Sequence, residues 1–92
     1  MRPNAHAVIE QRGVEGLALA EETVLNAIHG LLRRRKADHI EVAPHSDLYE
    51  DLQFDSLEIA ELSVMLEDDL GHDPYTAGFI PRTVGELVGF YD

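Results

Sequence analysis

The chain has 92 residues, no cysteine and a formal net charge of −11 at neutral pH. The missing cysteine excludes a disulfide frame, a thiolate nucleophile and a cysteine-ligated metal site, and the acidic balance argues against nucleic acid, whose phosphates need surplus lysine and arginine. Hydrophobic residues make up 45% of the chain, enough for one small domain, and no apolar run approaches the ~18 residues of a membrane span.

Met1 to Arg12 has no hydrophobic centre of the kind a secretory leader carries, so a soluble cytoplasmic protein is the expectation. Residues 1–13 hold Pro3, Asn4 and Gly13 with little apolar periodicity and are predicted to form a flexible arm, leaving 14–92 as the folded domain. From Val14 to Lys36 the spacing predicts a helix. Leu17, Ala20, Val24, Ala27, Ile28 and Leu31 recur at three- and four-residue steps, with Leu25 and Leu32 widening the stripe. Arg33-Arg34-Arg35-Lys36 closes it, where positive charge complements the last carbonyls. A nucleic-acid patch or a docking point is the other reading of that quartet.

Ala37 to Phe54 has no sustained period and contains Pro44, so it reads as a long loop, with Ile40, Val42, Leu48, Leu52 and Phe54 available to pin it to the core. Ser46 and Asp47 are placed to cap a turn over residues 48–51. His6, His39 and His45 have no neighbours at ligand spacing and read as solvated, so no metal site is expected.

Leu57 to Leu70 predicts the second helix. Ile59, Leu62, Leu66 and Leu70 line its inward face, with Ala60 and Ser63 alongside. Asp55 is a good N-cap, and Glu58 stands where a capping box needs it. Ser56 then falls in the first turn with its side chain outward, where a phosphate would feel the positive helix end. Glu58, Glu61, Glu67, Asp68 and Asp69 make the outer face acidic, although acid near a helix C-terminus opposes its dipole. Gly71 ends the helix.

His72 to Pro81 is broken by Pro74, Gly78 and Pro81, with one short helical turn expected over Tyr75–Ile80 and Phe79 and Ile80 directed inward. Thr83 and Glu86 fit a second capping box. Val84, Leu87, Val88 and Tyr91 give the last helix a face, which Gly85 and Gly89 weaken. The expected fold is all-α: a small four-helix bundle of three main helices and one short one.

A self-contained catalytic site is not expected. A serine nucleophile needs a positioned base and an oxyanion hole, and the five histidines are scattered. His72 would lie about 20 Å from Ser56, at the far end of the second helix.

The segment Asp55-Ser56-Leu57 followed by Glu58-Ile59-Ala60-Glu61-Leu62 resembles the acyl carrier proteins, and the likeness runs from about Ala20 to Tyr91. That family usually writes Asp-Leu-Gly-x-Asp-Ser-Leu; Gln53 stands here where glycine is usual. The resemblance implies a 4′-phosphopantetheine arm on Ser56, with Asp55 helping to hold the metal ion during arm transfer and Leu57 beside the attachment point. It implies a carrier that does no bond-making itself, and its cofactor would bring the sulfur the chain lacks. The partners implied are a phosphopantetheinyl transferase, an acyl-loading ligase or acyltransferase, and condensing enzymes with basic docking surfaces. Leu57, Glu58, Glu61, Val64, Glu67 and Asp68 form the expected docking face, with Met65 as a further apolar contact. Phe54, Ile59, Leu62, Ile80 and Val84 read either as ordinary core or as shelter for an acyl chain.

The leading expectation is a free-standing, monomeric acyl carrier in fatty-acid-like or polyketide-like biosynthesis, including secondary metabolism. The alternatives are a carrier of an aminoacyl or starter unit in a nonribosomal pathway, and an unmodified helical interaction module.

Overall fold

The computed structural model describes residues 4–91, with side chains from Leu19 onward. It is all-α, with three helices: α1 (Asn4–Arg34), α2 (Ser56–Leu70) and α3 (Val84–Gly89). α1 packs against both α2 and α3.

α1 starts at Asn4 instead of Val14, so most of the segment expected to be a flexible arm has a helical course. Gly13 and Gly16 each cost a helix about 1 kcal/mol relative to alanine, which weakens it without ending it. Leu17, placed on the apolar stripe, lies outside the described side chains. Further along, Ala20, Val24, Ala27, Ile28, Leu31 and Leu32 are buried. The helix stops earlier than Lys36. Lys36 turns left-handed at φ 61°, its N–H donates to Arg33 O at 3.0 Å, and the Ala37 N–H donates to Leu32 O at 2.8 Å. Those two bonds are the Schellman pair, and they satisfy carbonyls that would otherwise end unpaired.

The long loop is ordered by its own polar groups. Asp47 Oδ1 accepts from the N–H groups of Tyr49 and Glu50 at 2.8 and 2.9 Å, so Asp47 caps the 48–51 turn as expected. Ser46 takes no part in that cap. It is buried, and its Oγ accepts from Ala43 N–H at 2.9 Å. Three loop side chains, Leu48, Leu52 and Phe54, enter the core beside Leu62 and Leu66 of α2 and Val84 and Leu87 of α3. Each contributes about 1.5–3 kcal/mol by leaving water. The loop is therefore a structural layer in its own right.

A tether joins this layer to α3. Leu48 N–H donates to Arg82 O, Val84 N–H to Ser46 O and Gly85 N–H to Pro44 O, at 2.9, 3.0 and 2.8 Å. Gly85 suits that close approach, since a Cβ would lie 3.0 Å from Pro44 O and press on it. Thr83 caps α3 through Oγ1, which accepts from Glu86 N–H at 3.1 Å. The expected second capping box is incomplete, because Glu86 Oε1 accepts from Arg82 N–H at 2.7 Å instead.

The short fourth helix is absent. Residues 74–78 make a single turn, closed by Phe79 N–H to Pro74 O at 2.9 Å with Gly78 left-handed at φ 90°. Asp73 heads it, accepting from Thr76 N–H at 3.1 Å and from the Thr76 hydroxyl at 2.6 Å. Phe79 and Ile80 do not point inward; both are exposed, Ile80 by 70%. Phe79 instead stacks on Phe90 at a centroid distance of 6.2 Å.

Candidate functional site

α2 begins where the sequence predicts, within one residue. Asp55 is extended (φ −92°, ψ −177°) and its carboxylate accepts from Glu58 N–H, while the Glu58 carboxylate accepts from Asp55 N–H. The distances are 2.8 and 3.2 Å. The capping box fixes the chain direction at the helix entrance, which makes Ser56 the first helical residue. Ser56 is exposed. Its neighbours Asp55 and Leu57 are exposed too, Leu57 by 68%. An open hydroxyl thus stands at the positive end of a 15-residue helix. Of the three serines, Ser46 is buried, Ser63 is half-buried with its hydroxyl donating to Asp73, and Ser56 is the exposed one.

The expected docking residues divide into two groups. Val64 is 57% exposed, and Ala60, Glu67 and Asp68 are exposed as well. Leu57, Ala60 and Val64, at helical steps of three and four, make an apolar strip down the outer side of α2. Glu58 and Glu61 are committed within the molecule. Arg35 pairs with Glu58 at 3.1 Å, leaving that carboxylate side chain 14% exposed, and Arg34 pairs with Glu61. Arg34, Ala60, Glu61, Val64 and Met65 line a shallow hollow on this side.

These pairs also decide the role of the basic quartet. Arg34 and Arg35 cross from the end of α1 to the first two turns of α2. Arg35 Nη1 donates to Gln53 O at 2.8 Å, Nη2 donates to Leu52 O, and the guanidinium lies 5.4 Å from the Phe54 ring centre. Sequence reasoning missed this because the partners are seventeen or more positions apart. The one available signal was that four cations exceed what a helix end needs.

A third arginine holds the loop. Arg82 Nε donates to Asp47 Oδ2 at 2.7 Å and pairs with Glu50 at 3.3 Å. The Asp47 carboxyl is held below its ordinary value by the Glu50 N–H first and the Arg82 guanidinium next. Arg82 is raised in turn, chiefly by its bond to Asp47.

Of the residues read as core or acyl shelter, Phe54, Leu62 and Val84 are buried, Ile59 is half-buried and Ile80 faces solvent. They do not form one lining. A cleft of about 210 Å³ opens elsewhere, between α1, α3 and the loop, with Leu25, Val42, Pro44, Val84 and Val88 in its walls. Among the described residues there is no group of three or more histidines and acids that could hold a metal ion, and no helix long and apolar enough to cross a membrane. Asp55, with its carboxylate turned to the helix amides and open to solvent, is the acid nearest Ser56 in sequence.

Comparison with known proteins gives one match. The pattern of the family described as phosphopantetheine attachment site fits residues 22–90, from the middle of α1 through the end of α3. No curated protein and no solved structure matches. The group named by that description fits the residues present: an exposed hydroxyl with room for a bulky substituent, at a capped helix start whose dipole favours a phosphodiester.

Proposed function

This chain belongs to the phosphopantetheine attachment family, and from that premise we propose that it is an acyl carrier whose arm is joined to Ser56. The observation that carries the reading is the exposure of the Ser56 hydroxyl as the first residue of α2, inside the family match. When bound, 4′-phosphopantetheine supplies a swinging arm with a terminal thiol, on which cargo is held as a thioester.

The chain's own part is presentation. Ser56 offers Oγ to a phosphopantetheinyl transferase: Oγ would bond to the phosphorus bearing the pantetheine of coenzyme A, the pyrophosphate linkage would break with adenosine 3′,5′-bisphosphate leaving, and the hydroxyl proton would go to a base on that enzyme. Asp55 and Glu58 hold the helix entrance so that Oγ meets the transferase in one orientation. Asp55, by resemblance to other carriers, also helps to hold the transferase metal ion. Leu57 and Val64 give partners apolar contacts, and exposed Glu67 and Asp68 attract basic docking surfaces. Glu58 and Glu61 shape that face through their arginine pairs and add less free charge to it than their letters suggest. Partners of this kind are acyl-loading ligases, acyltransferases and condensing enzymes. Fatty-acid-like or polyketide-like assembly in the cytoplasm, with a monomeric carrier, completes the proposal.

Intact mass spectrometry after incubation with coenzyme A and a broad-specificity phosphopantetheinyl transferase tests it. A gain of one arm is expected, and none in Ser56→Ala. An unchanged mass in the wild-type chain would leave an unmodified interaction module, and an arm retained in Ser56→Ala would move the site. Loading the arm with candidate acyl and aminoacyl adenylates then assigns the cargo class.

A further inference from the structure

Gln53 is a non-glycine residue held in the left-handed region, at φ 58°. That conformation costs an ordinary L-residue about 1–2 kcal/mol, and Gln53 lies three positions before Ser56. Something must hold it there.

The carbonyls on both sides of its α-carbon point to one group. Leu52 O and Gln53 O each accept from the Arg35 guanidinium. The same guanidinium reaches Glu58 Oε1 at 3.1 Å, and Glu58 closes the capping box with Asp55. It also covers the Phe54 ring. One planar cation therefore grips the chain just before the modification residue and just after it. Its own departure from α1 is fixed, because the helix ends at Arg34 and the Schellman turn at Lys36 and Ala37 follows at once. A planar fork can serve two carbonyls and a carboxylate at once, which a lysine ammonium on a flexible stem does poorly.

We propose that Arg35 is the positioning residue of the modification site: it holds Gln53 left-handed and so sets the pose in which Ser56 is presented. The proposal rests on the carrier reading above for its consequence, and on the loop geometry for its cause. Without Arg35, Gln53 relaxes toward negative φ, the segment 52–55 shifts, and the presentable pose becomes a minor one. The apparent KM of the transferase for the carrier then rises by the inverse of the remaining fraction, while kcat, set by the pose once bound, stays put.

The test compares wild type, Arg35→Met, Arg35→Lys, Gln53→Gly and the double variant Arg35→Met/Gln53→Gly. The transferase assay with coenzyme A and the hydrogen exchange of the Phe54 and Glu58 amides are measured side by side. Both amides are bonded in the intact loop, to Leu48 O and to Asp55. Arg35→Met is expected to raise KM about five- to tenfold with kcat unchanged, and to speed exchange at those two amides by a similar factor. Arg35→Lys recovers little of either. Glycine adopts the left-handed conformation freely, so the double variant is expected to return within about twofold of wild type in KM.

Unchanged KM and exchange in Arg35→Met would overturn the proposal. So would additive effects in the double variant, since a cation that merely stabilises the fold is not replaced by a glycine eighteen positions away. If the wild-type chain gains no arm, the carrier reading falls, and with it the consequence for Ser56; the exchange data still decide whether Arg35 holds the loop.

Discussion

Single side chains do unequal work in this molecule, and Asp73 shows how. It is 1% exposed and accepts from the Ser63 hydroxyl at 2.6 Å and from Thr76 twice. Burial pushes its carboxyl up, but those bonds outweigh burial and leave it below its ordinary value. The native state therefore binds this proton less readily than the unfolded chain. The resulting stability is complete above the unfolded value and disappears as pH falls through the native one. Ser63→Ala is expected to lower urea stability at neutral pH by about 1–2 kcal/mol, with the deficit narrowing below about pH 4. A deficit that stays level into acid would assign Ser63 some other role. Local pairs of this kind were partly readable in the letters. Asp55 and Glu58 announce a capping box because both partners lie within one turn. Ser63 and Asp73, ten positions apart across a helix end, look in sequence like a helix filler and a loop acid.

Among the elements, α3 is the most dependent on its surroundings. It has six residues, two of them glycine, and intrinsic propensity would not sustain it. Gly85 and Gly89 nevertheless stand in different places. A Cβ at Gly85 meets Pro44 O at 3.0 Å, whereas one at Gly89 meets nothing within 4 Å. Gly85→Ala is therefore expected to destabilise the fold by about 1–3 kcal/mol, since backbone must move, and Gly89→Ala to stabilise it by about 0.5–1 kcal/mol. Calorimetric melting temperatures that shift the same way for both would refute this account. The three main helices were legible because their apolar spacing is regular. The expected fourth is not a helix: Tyr75, Phe79 and Ile80 lie between Pro74 and Pro81, and with Gly78 left-handed the chain closes one turn and leaves. Apolar letters in such a segment carry no inward direction, which is why sequence alone misplaces Phe79 and Ile80. Weak periodicity also says little about where a helix with few breakers begins, and α1 runs from Asn4.

For the molecule as a whole, a net charge of −11 should govern encounter more than grip. Partners with basic surfaces are expected to show a KM for this carrier that rises about tenfold between roughly 50 and 500 mM salt, as screening shortens the reach of the field. Leu57→Ala and Val64→Ala should raise KM without changing that salt slope, because they remove contact area and no charge. A slope that flattens in either variant would mean that charge and contact belong to one surface feature. What no reading of composition could supply is how much of the acidity is already spent. Glu58, Glu61, Asp47 and Glu50 are paired with Arg35, Arg34 and Arg82, so along α2 the acids left for a partner are Glu67, Asp68 and Asp69 at its other end. That helix has no glycine or proline from Ser56 to Leu70 and rises about 1.5 Å per residue. Ser56 and Val64 are therefore held about 12 Å apart along one stiff axis. On the proposed docking mode, an enzyme seated on Val64 would meet Ser56 at that fixed offset, so partners that dock this way are expected to share one spacing between seat and mouth, with α2 as the gauge.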